Sequence, residues 1–295
     1  MKEFLMAGTA GLVVLLSTFF KDLPKSSAIK TNTDMTYSDP APHPGSTPGE
    51  HYGYMADSTQ PIGILELRNY VTKEGTRDRF IAYFEKELIT SQQEMKGYPL
   101  SGYRVVGSNN NFCWLRGFKN WQERSTFLPR FYTSPAWLKH RDTANSMLAN
   151  NDNVYLLHPL GLQNGALAPI AQVPAAALTP KGTYTVIDIY IANTKRERLK
   201  SLLAQSYLPI FAEGGVLAYT LWESEATPND FPRLPVFQDP NVVVQISFYK
   251  DEASFKAAQL KIHDRLTTAQ KEDLQDAITQ HQLWILQPTA KSIRP

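Results

Sequence analysis

Apolar and polar residues alternate most strictly at Ile64-Leu65-Glu66-Leu67-Arg68-Asn69-Tyr70, with Leu65 and Leu67 on one face and Glu66, Arg68 and Tyr70 on the other. A period of two predicts a strand. Phe80, Phe84, Leu88 and Met95 then recur at helical spacing beside Ile81 and Tyr83, which predicts an amphipathic helix stopped by Gly97 and Pro99. Two short strand-like runs follow, Gly102 to Val106 and Phe112 to Arg116, joined as a hairpin across Gly107-Ser108-Asn109-Asn110. Trp121 to Leu148 reads as helix broken near Ser134-Pro135, and Val154-Tyr155-Leu156-Leu157 as a fourth strand. The order is βαββαβ.

The same order returns after a stretch from Gly161 to Gly182 that has no usable periodicity and reads as a linker. Val186-Ile187-Asp188-Ile189-Tyr190 stands where Glu66 to Tyr70 stood, and Leu199, Leu202, Leu203, Ile210 and Phe211 supply the helix stripe. Val244 to Lys250 falls on Cys113 to Lys119, with the closing aromatic–Lys pair in phase. Phe255, Ala258, Ile262 and Leu266 begin the second helix, and Thr267-Thr268-Ala269-Gln270 restarts it as a capping box would. Trp284-Ile285-Leu286-Gln287-Pro288 mirrors Tyr155-Leu156-Leu157-His158-Pro159, and the main insertion is a Pro-rich loop from Ser224 to Pro240.

Right-handed crossovers put both helical connections of a unit on one side of its sheet. The fold class expected is α+β: two ferredoxin-like βαββαβ units, residues 62–160 and 183–290, closing into one barrel within the chain around a linker at 161–182. On this reading the bare sheet face carries Tyr70, Trp114 and Phe118, together with Glu66, Arg68, Arg116 and Asp188, and it turns into the barrel. Cys113 and Leu115 turn to the helices.

Ahead of the repeats, Lys2 precedes an apolar run from Phe4 to Phe20 that closes at Lys21. As a helix it would be roughly 25 Å long, which suits a signal peptide or a membrane anchor, and residues 1–28 are assigned to that segment. Residues 29–61, rich in Thr, Asn, Ser, Pro and Gly, read as a disordered tether. Export to the periplasm or beyond is expected, with anchoring through residues 4–20 if the segment is retained.

Composition narrows the chemistry. Apolar residues at 42% allow a real core, and 30 Lys plus Arg against 28 Asp plus Glu give no field for nucleic acid. One cysteine, Cys113, excludes an internal disulfide and a zinc–thiolate cluster. The histidines show no HxH, HxxH or HExxH spacing, and the chain has no P-loop, Gly-x-Ser-x-Gly or Gly-x-Gly-x-x-Gly. No metal and no bound cofactor are therefore expected. A haem ligand would have to be His140, His158 or His263, without a supporting motif. Glu123 and Arg124 read as solvated helix charges.

Glu66-Leu67-Arg68-Asn69-Tyr70, Trp114-Leu115-Arg116-Gly117-Phe118 running into Trp121-Gln122-Glu123-Arg124, Ser134-Pro135-Ala136-Trp137 and the strand ending His158-Pro159 resemble the NIPSNAP family. The likeness covers about residues 62–160, while the second half keeps Tyr190 and Gln287-Pro288 but has Asp188 where the family pattern has arginine. The resemblance implies the dimeric α+β barrel superfamily, whose other members include cofactor-free monooxygenases, haem-degrading enzymes and small isomerases.

The residues expected to contact a small organic ligand are Glu66, Arg68, Tyr70, Trp114, Arg116, His158, Asp188, Tyr190 and Trp222. For the charged set two readings stand, a salt-bridge network between the copies or a polar pocket for an organic acid or quinone. An exported small-molecule binding protein comes first, a metal-free monooxygenase or isomerase second and a protein-interaction module third. No catalytic residue is assigned, and higher assembly is left open.

Overall fold

The computed structural model describes Tyr54 and residues 59–163, 166–169 and 172–292. The expected signal or anchor segment, with its apolar run from Phe4 to Phe20, lies outside the described residues, as does most of the expected tether. Among the described residues no helix is long and apolar enough to cross a membrane.

The first unit contains β1 (Ile64–Thr72), α1 (Arg77–Glu87), a short α2 (Ile89–Glu94), β2 (Tyr98–Val105), β3 (Asn111–Phe118), α3 (Trp121–Tyr132), α4 (Pro135–Ser146) and β4 (Val154–Gln163). Local chemistry sets the breaks. Asn120 caps α3 by accepting from the Glu123 amide, and Ser134 caps α4 by accepting from Trp137 N with Pro135 in the first turn. The second unit repeats the plan with β5 (Tyr184–Ala192), a helix running as α5 (Arg196–Ser201), a π-helical segment (Leu202–Tyr207) and α6 (Leu208–Glu213), then β6 (Ala218–Ser224), β7 (Val242–Tyr249), α7 (Glu252–Arg265), α8 (Thr268–Ala277) and β8 (Ile278–Pro288). Thr267 and Gln270 form the expected capping box.

Strand pairing closes a ring. The order is β1-β3-β2-β8-β5-β7-β6-β4, and β4 returns to β1, with every pairing antiparallel. The ring is the expected α+β barrel of two ferredoxin-like units in one chain. Its two seams join the units directly: Leu286 faces Val105 where β8 meets β2, and Trp222 faces Pro159 where β6 meets β4. Every core strand thus has two neighbours and no open edge.

The strand faces are the reverse of those expected. Leu65, Leu67, Cys113, Leu115, Ile187, Ile189, Val244 and Ile246 share one buried cluster inside the barrel. Tyr70 and Trp114 instead pack with Phe80, Phe84 and Leu88 under the helices, and Phe118 packs with Phe127 and Phe131 of α3. Glu66, Arg68, Arg116 and Asp188 alternate with the barrel residues, so they too lie on the helix side. The cause is volume. An eight-stranded barrel has an interior just wide enough for close-packed side chains, which suits branched aliphatics, whereas long arginines need the thicker layer between sheet and helices.

Between the units, the stretch expected as a linker forms strands Ala166–Pro169 and Val173–Pro174 and a 3-10 turn, Ala175–Leu178. Ala175 and Leu178 belong to the barrel cluster. Gly182 enters β5 at φ +99°, and a Cβ there would meet the Tyr249 carbonyl oxygen at 2.5 Å. Tyr54, in the segment expected as tether, is buried beside Phe112, and the bare Cα of Gly102 leaves room for its hydroxyl.

Candidate functional site

A cavity of about 340 Å³ lies between the first unit's sheet and its helices. Its floor carries Tyr70 from β1 with Trp114 and Arg116 from β3. Phe80 and Phe84 of α1, Tyr132 of α3, and Trp137 and Arg141 of α4 wall it. The remaining side comes from the second unit: Phe231, Arg233 and Leu234 sit on the loop between β6 and β7 that the sequence shows as an insertion. The Phe231 ring stacks on Tyr132 with centroids 5.5 Å apart.

Beneath the floor is a buried charge network. Glu66 Oε2 accepts from Arg68 Nη1 at 2.7 Å and from Arg116 Nε at 2.8 Å, while Oε1 accepts from Arg124 Nε at 2.8 Å. All four side chains are almost completely enclosed. Burial alone would push the Glu66 carboxyl up, but Arg116, Arg68 and Arg124 reverse this and hold it far below the usual carboxylate range. Arg124 also donates to Asn229 Oδ1 at 3.2 Å and pairs with Asp230 at 3.5 Å, tying the inserted loop to the network. Three guanidinium groups around one carboxylate leave this network positive even after Asp230, whose side chain is 39% exposed.

Arg68 turns its remaining donors to Tyr70, whose hydroxyl oxygen accepts from Nε at 3.0 Å and Nη2 at 2.8 Å. The guanidinium also lies over the Trp114 ring, 5.2 Å from its centroid. Burial raises the Tyr70 phenol and Arg68 opposes the rise, so the group stays protonated. With both lone-pair directions occupied by Arg68, Tyr70 has only its O–H proton to offer. Trp114 Nε1 is likewise buried without a hydrogen-bond partner. Among the described residues no aspartate or glutamate lines the cavity. The site presents donors and positive charge.

Of the expected ligand contacts, Tyr70, Trp114 and Arg116 line this cavity, with Glu66 and Arg68 directly behind them. Asp188 and Tyr190 line a second cavity, in the other unit. The expected meeting of Arg68 and Asp188 is therefore corrected: each faces the helices of its own unit, and Asp188 bonds His281 Nε2 at 2.9 Å. Trp222 is fully buried in the barrel, its Nε1 donating to Thr220. His158 sits at the β4–β6 seam, 3.7 Å from Glu223. Arg124 corrects another expectation, because it is buried rather than solvated. Arg141 and Arg233 were not singled out in the sequence, where neither stands in a motif. Cys113 is buried inside the barrel, and burial pushes its thiol well up. Among the described residues no cluster of His, Cys, Asp and Glu could hold a metal ion. His140 bonds Tyr83 through Nδ1 at 2.7 Å.

The floor strands, the α3–α4 break and β4, which carries His158-Pro159, thus all belong to one unit. The family whose model matches is NIPSNAP, over residues 65–159. This NIPSNAP-like unit accounts for about a third of the chain. No curated protein matches the sequence. Among solved structures, an anthrone oxidase-like protein is 12% identical with a TM-score of 0.49, covering 79% of this chain and 93% of its own. A heme-binding protein from Thermus thermophilus is 14% identical with a TM-score of 0.44, covering 78% and 92%. A NIPSNAP-like domain protein from Burkholderia xenovorans is 22% identical with a TM-score of 0.31, covering 38% of this chain and 95% of its own.

Proposed function

We propose that the NIPSNAP-like unit binds a small organic anion with a flat apolar body, such as an aromatic carboxylate or phenolate. The observation that carries this reading is the lining: aromatic rings with Arg116, Arg141 and Arg233 and no carboxylate, in a volume of about 340 Å³. A buried positive surplus needs a counter-charge, and a ligand supplying it gains charge-assisted hydrogen bonds from the buried Arg116, with the more exposed Arg141 and Arg233 at the rim. Tyr70 and Trp114 add two donors suited to an oxyanion, while the loop bearing Phe231 covers the ring of the ligand.

Calorimetric titration with naphthoate and with naphthamide tests the reading. The carboxylate should bind at least about tenfold more tightly, equivalent to about 1.4 kcal/mol, and Arg116→Met should remove the difference. Equal binding of the two, or none, would overturn it. Oxygen uptake with a quinol and no added cofactor distinguishes an oxygenase from a binding protein. Export is proposed on the apolar run from Phe4 to Phe20. Recovery of the intact chain only from the cytosol would refute it.

A further inference from the structure

The two units place opposite charges at the same point of their sheets. Strands β1 and β5 are each nine residues long with the same pattern of burial, so Arg68 and Tyr70 correspond to Asp188 and Tyr190. Cross-strand neighbours agree: Arg68 faces Trp114 on β3, and Asp188 faces Gln245 on β7. Under the helices of the second unit Asp188 lines a cavity of about 70 Å³, room for about two water-sized groups. The walls include Tyr190, Tyr207 and Phe211, with the His281 imidazole stacked on the Tyr190 ring at 4.7 Å between centroids. His263 and Gln259 also line it, while among the described residues no lysine or arginine does.

We propose that this second cavity is a separate site for a small methylated ammonium ion. A carboxylate beside several aromatic rings attracts an organic cation, because the ring quadrupoles and the anion act together and a methyl group fills apolar space. Burial first, and Asp188 second, push the Tyr190 phenol well up, so the ring stays neutral beside the carboxylate. Asp188 uses Oδ1 for His281, an orientation that fixes the carboxylate at the cavity wall. Tyr207 ends the π-helical segment, a local distortion of the kind often found where a helix is shaped around a site. Gln245, fully buried next to Asp188 on the same side of the sheet, has neither side-chain polar atom hydrogen-bonded.

The test uses the full chain and methylammonium, with methanol as an uncharged molecule of similar shape, by calorimetry or ligand-observed NMR at about pH 8. Saturable binding of methylammonium is expected, uncompeted by methanol, falling at least about tenfold in Asp188→Asn. Asp188→Asn keeps the shape and an acceptor for His281. Should that variant fail to fold, Phe211→Leu, which removes a ring and keeps an apolar side chain, should weaken binding of the cation alone. Absence of saturable binding to the wild-type chain, equal binding of methanol, or undiminished binding in the folded variant would each overturn the proposal. Failure here leaves the anion site untouched, since the probes and the residues differ.

Discussion

Arg68 and Tyr70 are joined by two hydrogen bonds to one oxygen, 3.0 Å from Nε and 2.8 Å from Nη2. The pair is enclosed, so removing the hydroxyl strands two donors of a buried cation. Tyr70→Phe should cost about 1–3 kcal/mol, read as a lower denaturant midpoint with unchanged m-value. It should also weaken the aromatic anion by removing a donor from the cavity floor. A variant as stable as wild type would mean that Arg68 finds another acceptor.

Glu66 is the counter-charge for three buried guanidinium groups, and its carboxyl is held far below its ordinary value. In the unfolded chain a glutamate protonates near its ordinary value of about 4.3. Below that the unfolded state takes up a proton that the folded state refuses, so this contribution is present above about pH 5 and is lost as pH falls. Glu66→Gln should cost about 3–5 kcal/mol at neutral pH and flatten the acid limb of stability against pH. Chemical denaturation across that range measures both effects.

Arg68 lies behind the floor of the first cavity and Asp188 lines the second, and among the described residues their hydrogen-bond partners differ: Glu66 and Tyr70 for one, His281 for the other. Their alanine substitutions should therefore add, with a coupling within about 0.5 kcal/mol in a double-mutant cycle. A clear rescue of one substitution by the other would instead place the two side chains together.

The inserted loop holds to the first unit through Arg124 with Asn229 and Asp230, and through Phe231 on Tyr132. Phe231→Ala removes a cavity wall on the surface of the fold. We expect a small stability change, below about 1.5 kcal/mol, together with faster release of the bound anion in stopped-flow displacement.

Cys113 is fully buried in the barrel, with its thiol pushed well up by burial. A disulfide reagent should leave it unmodified in the folded protein and react once the chain unfolds. The rate of labelling thus reports opening of the ring.

Much of the fold was legible because period-two and helical patterns recur in the same order in both halves. The helix break at Ser134-Pro135 and the box at Thr267 and Gln270 were readable as caps, which are local chemistry. The faces were not. Alternation divides Leu65 and Leu67 from Glu66 and Arg68, but it does not say which set turns to the helices when both sides are buried. A usable signal was the comparison of copies: Cys113, Leu67 and Leu115 stay small or aliphatic as Val244, Ile187 and Ile246, whereas Arg68 becomes Asp188. Arg124 reads as solvated, and Arg141 and Arg233 carry no signal, for another reason, since their roles depend on helix packing and on a loop from the other unit, neither of which leaves a local pattern.

The two seams, Leu286 beside Val105 and Trp222 beside Pro159, are made within a single polypeptide. A ring assembled from two identical chains would carry each residue twice, and any change that improved one cavity would be imposed on the other. Here positions 68 and 188 are encoded separately, so inheritance can adjust them one at a time without opening the ring. The fused chain is thereby free to hold two dissimilar molecules in fixed one-to-one proportion, which a symmetric pair cannot do.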